Sequence, residues 1–366
     1  MMQHHTVQEP TGVRDGASRL RLHRLEGYDS HERVVRVEDT RSGLRAIIAV
    51  HSTALGPAGG GCRLWTYRSQ GEAIADVLNL SRGMTYKNAL ADVGFGGGKA
   101  VILGPVPKTR REDVFRSFGR AVNMLGGKYI TAEDVGVAVS DMEQVSRETK
   151  FVCGLKEKNG IGGDPSLFTA RGVLQGMKAA MKVRYQAGSL KGARVAVQGL
   201  GSVGAKLCDL LAAEGARLVV ADIDEERAAR LQARHGASRA SLETILLEDV
   251  EVVAPCALGG AITGMVAKNM RAKVIAGAAN NQLASREVED ILRRRHIAYA
   301  PDYVINAGGI IMVAAEYRGQ FDPTYVRHEI DRIYQRTEEI VSTALRRDVS
   351  TVAVANEMVE QRLARR

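Results

Sequence analysis

The sequence contains no apolar run close to the ~20 residues that a helix needs to cross a bilayer, so no membrane-spanning helix is expected. Its opening, "MMQHHTVQEPTGVRDGASRLRLHRLEG", lacks the uninterrupted apolar core of a secretory signal and reads as a polar extension, mobile over residues 1–25. Cysteine is sparse. Cys62, Cys153, Cys208 and Cys256 lie far apart without a CxxC pair, which argues against a disulfide frame or a zinc site and for reduced thiols in a cytoplasmic protein. His4 and His5 alone fall short of a ligand set, so no metal is expected. The chain is rich in positive charge: 51 Lys and Arg against 42 Asp and Glu, a formal +9. The densest basic groups, "KTRRED", "LRRRH" and "RLARR", sit beside acids or at helix ends without a recognition motif, so nucleic acid is not an expected partner.

What remains is the composition of a soluble globular protein, 366 residues long, 45% hydrophobic and 25% charged. That length predicts two domains. "ERVVRVED" and "LRAIIAVHS" read as strands around a Ser-Gly turn, whereas "EAIADVLNLSRGMTYKNAL" carries Ile74, Val77, Leu78, Leu80 and Met84 at helical spacing. "VFRSFGRAVNMLGGKYI" is a second helix, stopped at Gly126-Gly127. After "NGIGGDPS" the pattern changes. "KGARVAVQGLGSVGAKLCDLLAAEGARLVVADID" reads as strand, glycine turn, helix, strand, and the apolar stretches "VEVVAPC", "AKVIAGAAN" and "HIAYAP" follow. That alternation predicts a parallel sheet with crossover helices. The expected class is α/β in two domains. An N-terminal α/β substrate and oligomerisation domain spans 26–153, and a Rossmann-type NAD-binding domain spans 154–347. A C-terminal helix, 348–366, returns to the first domain.

Gly199, Gly201 and Gly204, with Ser202 and Val203 between them, form G-x-G-x-x-G directly after the strand "ARVAVQ". Alone the hexapeptide is weak, but here a strand precedes it, a helix follows it, and Asp222 ends the next strand. Gly199 suits the tight turn, Gly201 a close approach to pyrophosphate, and Gly204 close packing of helix on strand. The helix N-terminus would then face the phosphates. Asp222 would bond a ribose 2′-hydroxyl and, with Asp224, repel a 2′-phosphate, so NAD is the expected cofactor.

A second constellation surrounds "GMTYKNALADVGFGGGKAV". Lys87 and Lys99 flank what reads as a glycine-rich bend, and Lys99 precedes an apolar run. Lysine is costly to bury unless its charge is used. "LGPAGGGCR" reads as another glycine-rich bend, able to lay backbone N–H groups against a small anion, and "YITAEDVG" ends a strand with Glu133 and Asp134. Two cations with one carboxylate suit a substrate bearing an α-carboxylate and a carbonyl or imine. The residues by themselves reach an NAD enzyme acting on a small carboxylate.

At these motifs the sequence resembles the glutamate/leucine/phenylalanine/valine dehydrogenase superfamily, in its leucine–phenylalanine–valine branch. The matching stretches are "GLRAIIAVHSTALGPAGGGCR", "GMTYKNALADVGFGGGKAVI", "YITAEDVG", "AVQGLGSVG", "APCALGG", "GAANNQL" and "YAPDYVINAGGII". The resemblance implies NAD-dependent oxidative deamination of an L-amino acid to a 2-oxo acid and ammonium, and a homo-oligomer between dimer and octamer. By motif, Lys87 grips the substrate α-carboxylate, Lys99 activates water, and Asp134 shuttles protons with it. Gly60 and Gly61 line the substrate loop and Met84 packs nearby. Asn280 meets the substrate or the nicotinamide ribose, and Pro165 and Thr169 position the nicotinamide.

The resemblance also bears on the substrate. Glutamate-acting relatives carry a lysine where this chain has Gly59, so an apolar side chain is the better guest. The remaining wall positions are Ala132, Ile310 and Val313. Gly59 replaces a leucine common in leucine-acting relatives and is expected to deepen the pocket, while Ile310 narrows it elsewhere. Leucine, isoleucine and valine lead, with phenylalanine the alternative. Two rivals lie outside this reading. A 2-hydroxy-acid dehydrogenase would need a catalytic histidine beside a carboxylate in the cofactor domain, which the sequence lacks. A non-catalytic NAD-sensing or nucleic-acid-binding protein would leave Lys87, Lys99 and Asp134 unexplained.

Overall fold

β-Branched residues on both parities of a strand bury both faces of its sheet, and the first half of the chain follows that rule. In the computed structural model, which describes residues 20–28, 30–155, 163–319 and 321–365, the chain divides into two units. The first runs up to Thr85 and resumes at Gly94; the second holds Tyr86–Val93 and the chain from 163 onward.

The first unit opens with β1 (Leu20–Arg24), β2 (Arg33–Asp39) and β3 (Leu44–Ser52), an antiparallel meander. β4 (Ala58–Gly59), β5 (Cys62–Trp65), α1 (Gln70–Ala91) and β6 (Gly96–Leu103) follow. α2 (Arg111–Met124), β7 (Tyr129–Ile130) and α3 (Val139–Ser146) complete it. The strands join in the order β1-β2-β3-β6-β4-β7, with β5 also paired to β6. Val35, Val37, Ala46, Ile48 and Ile102 face a core shared with Phe115, Phe118 and Val122 of α2. Their neighbours Val34, Ile47, Ala49 and Val101 face the opposite way, against Ala73 and Val77 of α1. Both helices follow from apolar spacing, α2 ending at Gly126 and Gly127 with positive φ of 61° and 82°. Lys99 pairs with Ala49 across β3 and β6, on the α1 face of the sheet.

Two expectations need correction here. The polar extension expected over residues 1–25 ends sooner: Leu20–Arg24 form β1, paired with Val35–Asp39 through Leu20↔Asp39 and Arg24↔Val35. Residues 1–19 lie outside the described part. The glycines before Lys99 form no bend: Gly96, Gly97 and Gly98 begin β6. The turn that brings the chain back lies just before them, where Asp92 and Gly94 hold φ of 57° and 62°. The three are glycine because of contact. An added Cβ at Gly97 would meet Thr85 Oγ1 at 2.0 Å, and one at Gly96 would meet the Ser52 carbonyl oxygen at 2.0 Å.

The second unit begins with α4 (Ser166–Tyr185), β8 (Arg194–Gln198), α5 (Ser202–Ala213), β9 (Arg217–Ala221), α6 (Glu225–His235) and β10 (Ser238–Arg239). It continues through β11 (Val252–Pro255), α7 (Gly264–Asn269), β12 (Val274–Ile275), α8 (Arg286–Arg294) and β13 (Ala298–Tyr299). α9 (Asp302–Ile305), α10 (Gly308–Tyr317), α11 (Pro323–Arg347) and α12 (Thr351–Ala364) close the chain. Its sheet is parallel throughout, in the order β10-β9-β8-β11-β12-β13, the doubly wound arrangement with a switch point between β8 and β11. Within this unit the Tyr86 hydroxyl donates to Glu360 of α12, and Arg362 donates to the Ala89 carbonyl. Among the described residues no helix is long and apolar enough to cross a membrane.

Candidate active site

In the first unit the glycines act by letting backbones touch. A Cβ at Gly60 would lie 1.8 Å from the Gly98 carbonyl oxygen and 3.1 Å from Met84 Cγ. One at Gly61 would lie 2.5 Å from the Glu133 carbonyl oxygen and 3.0 Å from Asp134 Cβ. These contacts draw β5, β6 and the segment after β7 together around Lys99 and Asp134. The Gly60 N–H is spent on the Ile130 carbonyl at 3.1 Å, so it is not among the donors expected for a substrate anion.

Lys99 is buried, 5% exposed, and its Nζ lies 3.1 Å from Asp134 Oδ2. Arg63 Nε donates to the same oxygen at 3.0 Å. Burial alone pushes the Asp134 carboxyl up, but the charges and hydrogen bonds of Lys99 and Arg63 together hold it below the usual carboxylate range. The site therefore keeps an anion between two cations, one of them a lysine with almost no access to bulk water. That pairing is what makes a lysine affordable inside the fold, and it is suited to passing a proton.

Arg63 was missed as a site residue, although its signal was present: a lone basic residue in the otherwise apolar strand "CRLW". Its Nη1 reaches both oxygens of Asp76 on α1, at 3.1 and 3.4 Å, and the Tyr67 hydroxyl donates to Asp76 Oδ2 at 2.7 Å.

The expected deepening at Gly59 does not occur. A Cβ there would fall 2.6 Å from Cδ2 of Phe95, so an aromatic ring occupies the space that the missing side chain leaves. Phe95 is 2% exposed. Ala132 is half-buried and accepts the Cys62 N–H through its carbonyl at 2.7 Å.

The second unit carries the dinucleotide turn. Gly199 has φ of 94°, a region that disfavours any side chain, and a Cβ there would meet Ala257 N at 2.7 Å. At Gly204 a Cβ would lie 1.9 Å from the Gly199 carbonyl oxygen, whereas at Gly201 it would point into open space. The turn is thus closed where helix meets strand and open where pyrophosphate is expected. Ser202 and Val203 begin α5 there, with first-turn N–H groups directed at that opening. Asp222 accepts from Leu200 N–H at 2.5 Å and Asp224 N–H at 2.8 Å, with Arg227 Nη1 3.7 Å away. Ile223, 87% exposed, and Leu258, 82% exposed, offer apolar surface of the kind an adenine ring covers. The residues present fit a dinucleotide.

Lys87 also falls in this unit, half-buried on α1 and close enough for its charge to act on Asp302. Asp302 is buried, which pushes its carboxyl above the usual range; it accepts from the Gln282 N–H at 2.9 Å and the Tyr299 hydroxyl at 3.1 Å. Asn280 is exposed, and its Oδ1 accepts from Asn306 Nδ2 at 2.8 Å. Ile310 and Val313 stand one turn apart on α10. Pro165 and Thr169 lie at the start of α4, where a Cβ on Gly309 would come within 2.9 Å of Thr169 Oγ1 and 3.5 Å of Pro165 Cβ. Among the described residues no group of three or more His, Cys, Asp or Glu side chains is placed to hold a metal.

Residues 31–151 match the family model described as Glu/Leu/Phe/Val dehydrogenase, dimerisation domain, and residues 220–365 match that of Glutamate/Leucine/Phenylalanine/Valine dehydrogenase. The chain is 47% identical to the leucine dehydrogenase of Geobacillus stearothermophilus, over 93% of this chain and 92% of that one. It is 46% identical to the valine dehydrogenase of Streptomyces virginiae, over 94% and 97%. A crystal structure of L-tryptophan dehydrogenase from Nostoc punctiforme superposes with a TM-score of 0.82 at 38% identity, covering 92% of this chain and 96% of that one.

Proposed function

This chain belongs to the glutamate/leucine/phenylalanine/valine dehydrogenase family, and we propose that it catalyses the reversible, NAD-dependent deamination of leucine, isoleucine or valine. It is an amino acid dehydrogenase and depends on a dinucleotide. The observation that carries the proposal is the convergence of Lys99 and Arg63 on one oxygen of Asp134, beside glycines that leave no room for further side chains.

A bound dinucleotide would supply the acceptor for the Cα hydride, once the substrate ammonium has given up a proton. Lys87 holds the α-carboxylate through its ammonium charge. Lys99 polarises the water that attacks the iminium carbon, and Asp134 takes the proton this water releases. Collapse of the carbinolamine, with the proton returned to nitrogen, frees ammonium and leaves the 2-oxo acid. Gly201, Ser202 and Val203 would receive the pyrophosphate and Asp222 the adenosine ribose, while Pro165, Thr169 and Asn280 would orient the nicotinamide end. A homo-oligomer in the cytoplasm is part of this reading.

Gly59 brings no cation to a side-chain carboxylate, and the Phe95 ring lies against it, so glutamate is disfavoured. The same ring keeps the space beside Gly59 small, which favours branched aliphatic guests. Phe95→Ala is expected to raise kcat/KM for phenylalanine relative to leucine by about tenfold, within the 1–3 kcal/mol that such shape changes are worth. An unchanged ratio would remove Phe95 from the pocket wall. Asp222→Ala should raise the KM for NAD by roughly tenfold, the loss of a charged hydrogen bond, and bring NADP turnover closer to NAD turnover. A panel of leucine, isoleucine, valine, phenylalanine and glutamate tests the substrate class. Leucine-type substrates are expected to lead in kcat/KM, and a lead for glutamate would contradict the reading.

A further inference from the structure

Asp134 has two oxygens, and the fold treats them differently. Lys99 Nζ and Arg63 Nε both converge on Oδ2, at 3.1 and 3.0 Å, while no described residue donates to Oδ1. Arg63 does not float. Its Nη1 bonds Asp76 at 3.1 and 3.4 Å, and the Tyr67 hydroxyl fixes Asp76 in turn at 2.7 Å. Its side chain is 23% exposed, as is that of Asp134, so these ions are only partly screened by water. Single-point attachment to Lys99 would leave the carboxylate free to turn about its bond to Cβ. A second, guanidinium contact on the same oxygen, anchored on α1 through Asp76, fixes the plane.

We infer that Arg63 is a positioning residue for the reaction: by holding Asp134 Oδ2, it presents Oδ1 as the oxygen that takes the proton from water. The inference rests on the role assigned above to Asp134. Water loses H⁺ to Oδ1 as its oxygen bonds the iminium carbon and the C=N π pair moves onto nitrogen. Oδ1 then returns that proton to nitrogen; as the C–N bond breaks, the carbinolamine hydroxyl gives its proton to the departing amine, leaving the 2-oxo acid and ammonium. Arg63 touches neither substrate nor cofactor in this role. It acts through charge and geometry alone, as buried dipoles and ions do where a proton must arrive repeatedly at one atom.

The charged and titratable groups facing Asp134 define the test. They are Lys99 from β6, Arg63 and the buried Cys62 thiol from β5, Tyr67 from the loop after β5, and Tyr129 from β7, with Asp76 behind Arg63 on α1. Removing the guanidinium takes away one of the two cations that hold the Asp134 carboxyl down. In Arg63→Ala the acid limb of the kcat/KM profile, which reports the Asp134 carboxyl, should move up by about one pH unit. The lost geometry should lower kcat on the order of 10²-fold. Arg63→Lys restores the charge, so the limb should return toward wild type. Its kcat stays reduced, because one ammonium cannot span both Asp134 and Asp76. Asp76→Asn removes an anion and should shift the limb the other way while still lowering kcat.

A merely structural role would lower stability or kcat in all three variants without these opposite limb shifts, and that pattern would overturn the inference. If Arg63→Ala does not fold, Arg63→Gln, uncharged and closer in length, carries the same expectation. Infrared difference titration of the Asp134 carboxyl, wild type against Asp134→Asn, gives a reading without turnover. The carboxyl should titrate higher in Arg63→Gln than in wild type, and equal titration would overturn the inference. Near-normal turnover by Asp134→Asn would instead contradict the proton role of Asp134 itself, a separate failure.

Discussion

Lys99→Ala should lose about 10³-fold in kcat with little change in the KM for leucine, the size expected when a positioned proton-handling group is removed. The reason lies in where the ammonium sits. Lys99 is 5% exposed on the α1 face of β6, with Asp134 Oδ2 3.1 Å from its Nζ. Among the described residues no other lysine is paired with Asp134, and Arg63 on the same oxygen is occupied by Asp76 at its far end. Asp134→Asn should fall by a comparable factor. The double variant should be hardly worse than either, because the two act as one unit. Additive losses would mean that each works alone, and steady-state kinetics of the three variants would show it.

Lys87→Ala should separate cleanly from Lys99→Ala by raising the KM for leucine and for 4-methyl-2-oxopentanoate about 10- to 150-fold, the equivalent of a lost charged hydrogen bond. Its kcat should change far less. Lys87 stands one turn beyond Met84 on α1, half-buried, where its charge is strong enough to act on the buried Asp302 carboxyl. A cation so placed is available to an α-carboxylate, and its loss weakens binding of substrate and transition state alike. A fall in kcat at unchanged KM would assign Lys87 to the chemistry instead.

How much of this was legible in the sequence differs by element. The parallel sheet and its glycine turn were, because strand, turn and helix signals recur in a fixed order that few other folds share. The buried charge of Lys99 was, since a lysine ahead of an apolar run calls for a charge partner, and Asp134 lies 3.1 Å from it. The glycines misled. Gly96, Gly97 and Gly98 were read as a bend, yet they lie in β6, where Thr85, Tyr129 and the Ser52 carbonyl leave no space for a Cβ. Composition cannot separate a glycine that turns from one that is crowded. Gly59 misled in the same way: the vacancy it implies is filled by Phe95, thirty-six positions later, a complementation that only the fold brings together. Arg63 escaped because its partners Asp76 and Asp134 are distant in sequence and on different elements.

The most direct test of the account is NADH oxidation by the purified protein with 4-methyl-2-oxopentanoate, in the presence and absence of ammonium. The account predicts turnover that requires ammonium and yields leucine in step with NADH consumed. Equal NADH oxidation without ammonium, giving a 2-hydroxy acid, would contradict it.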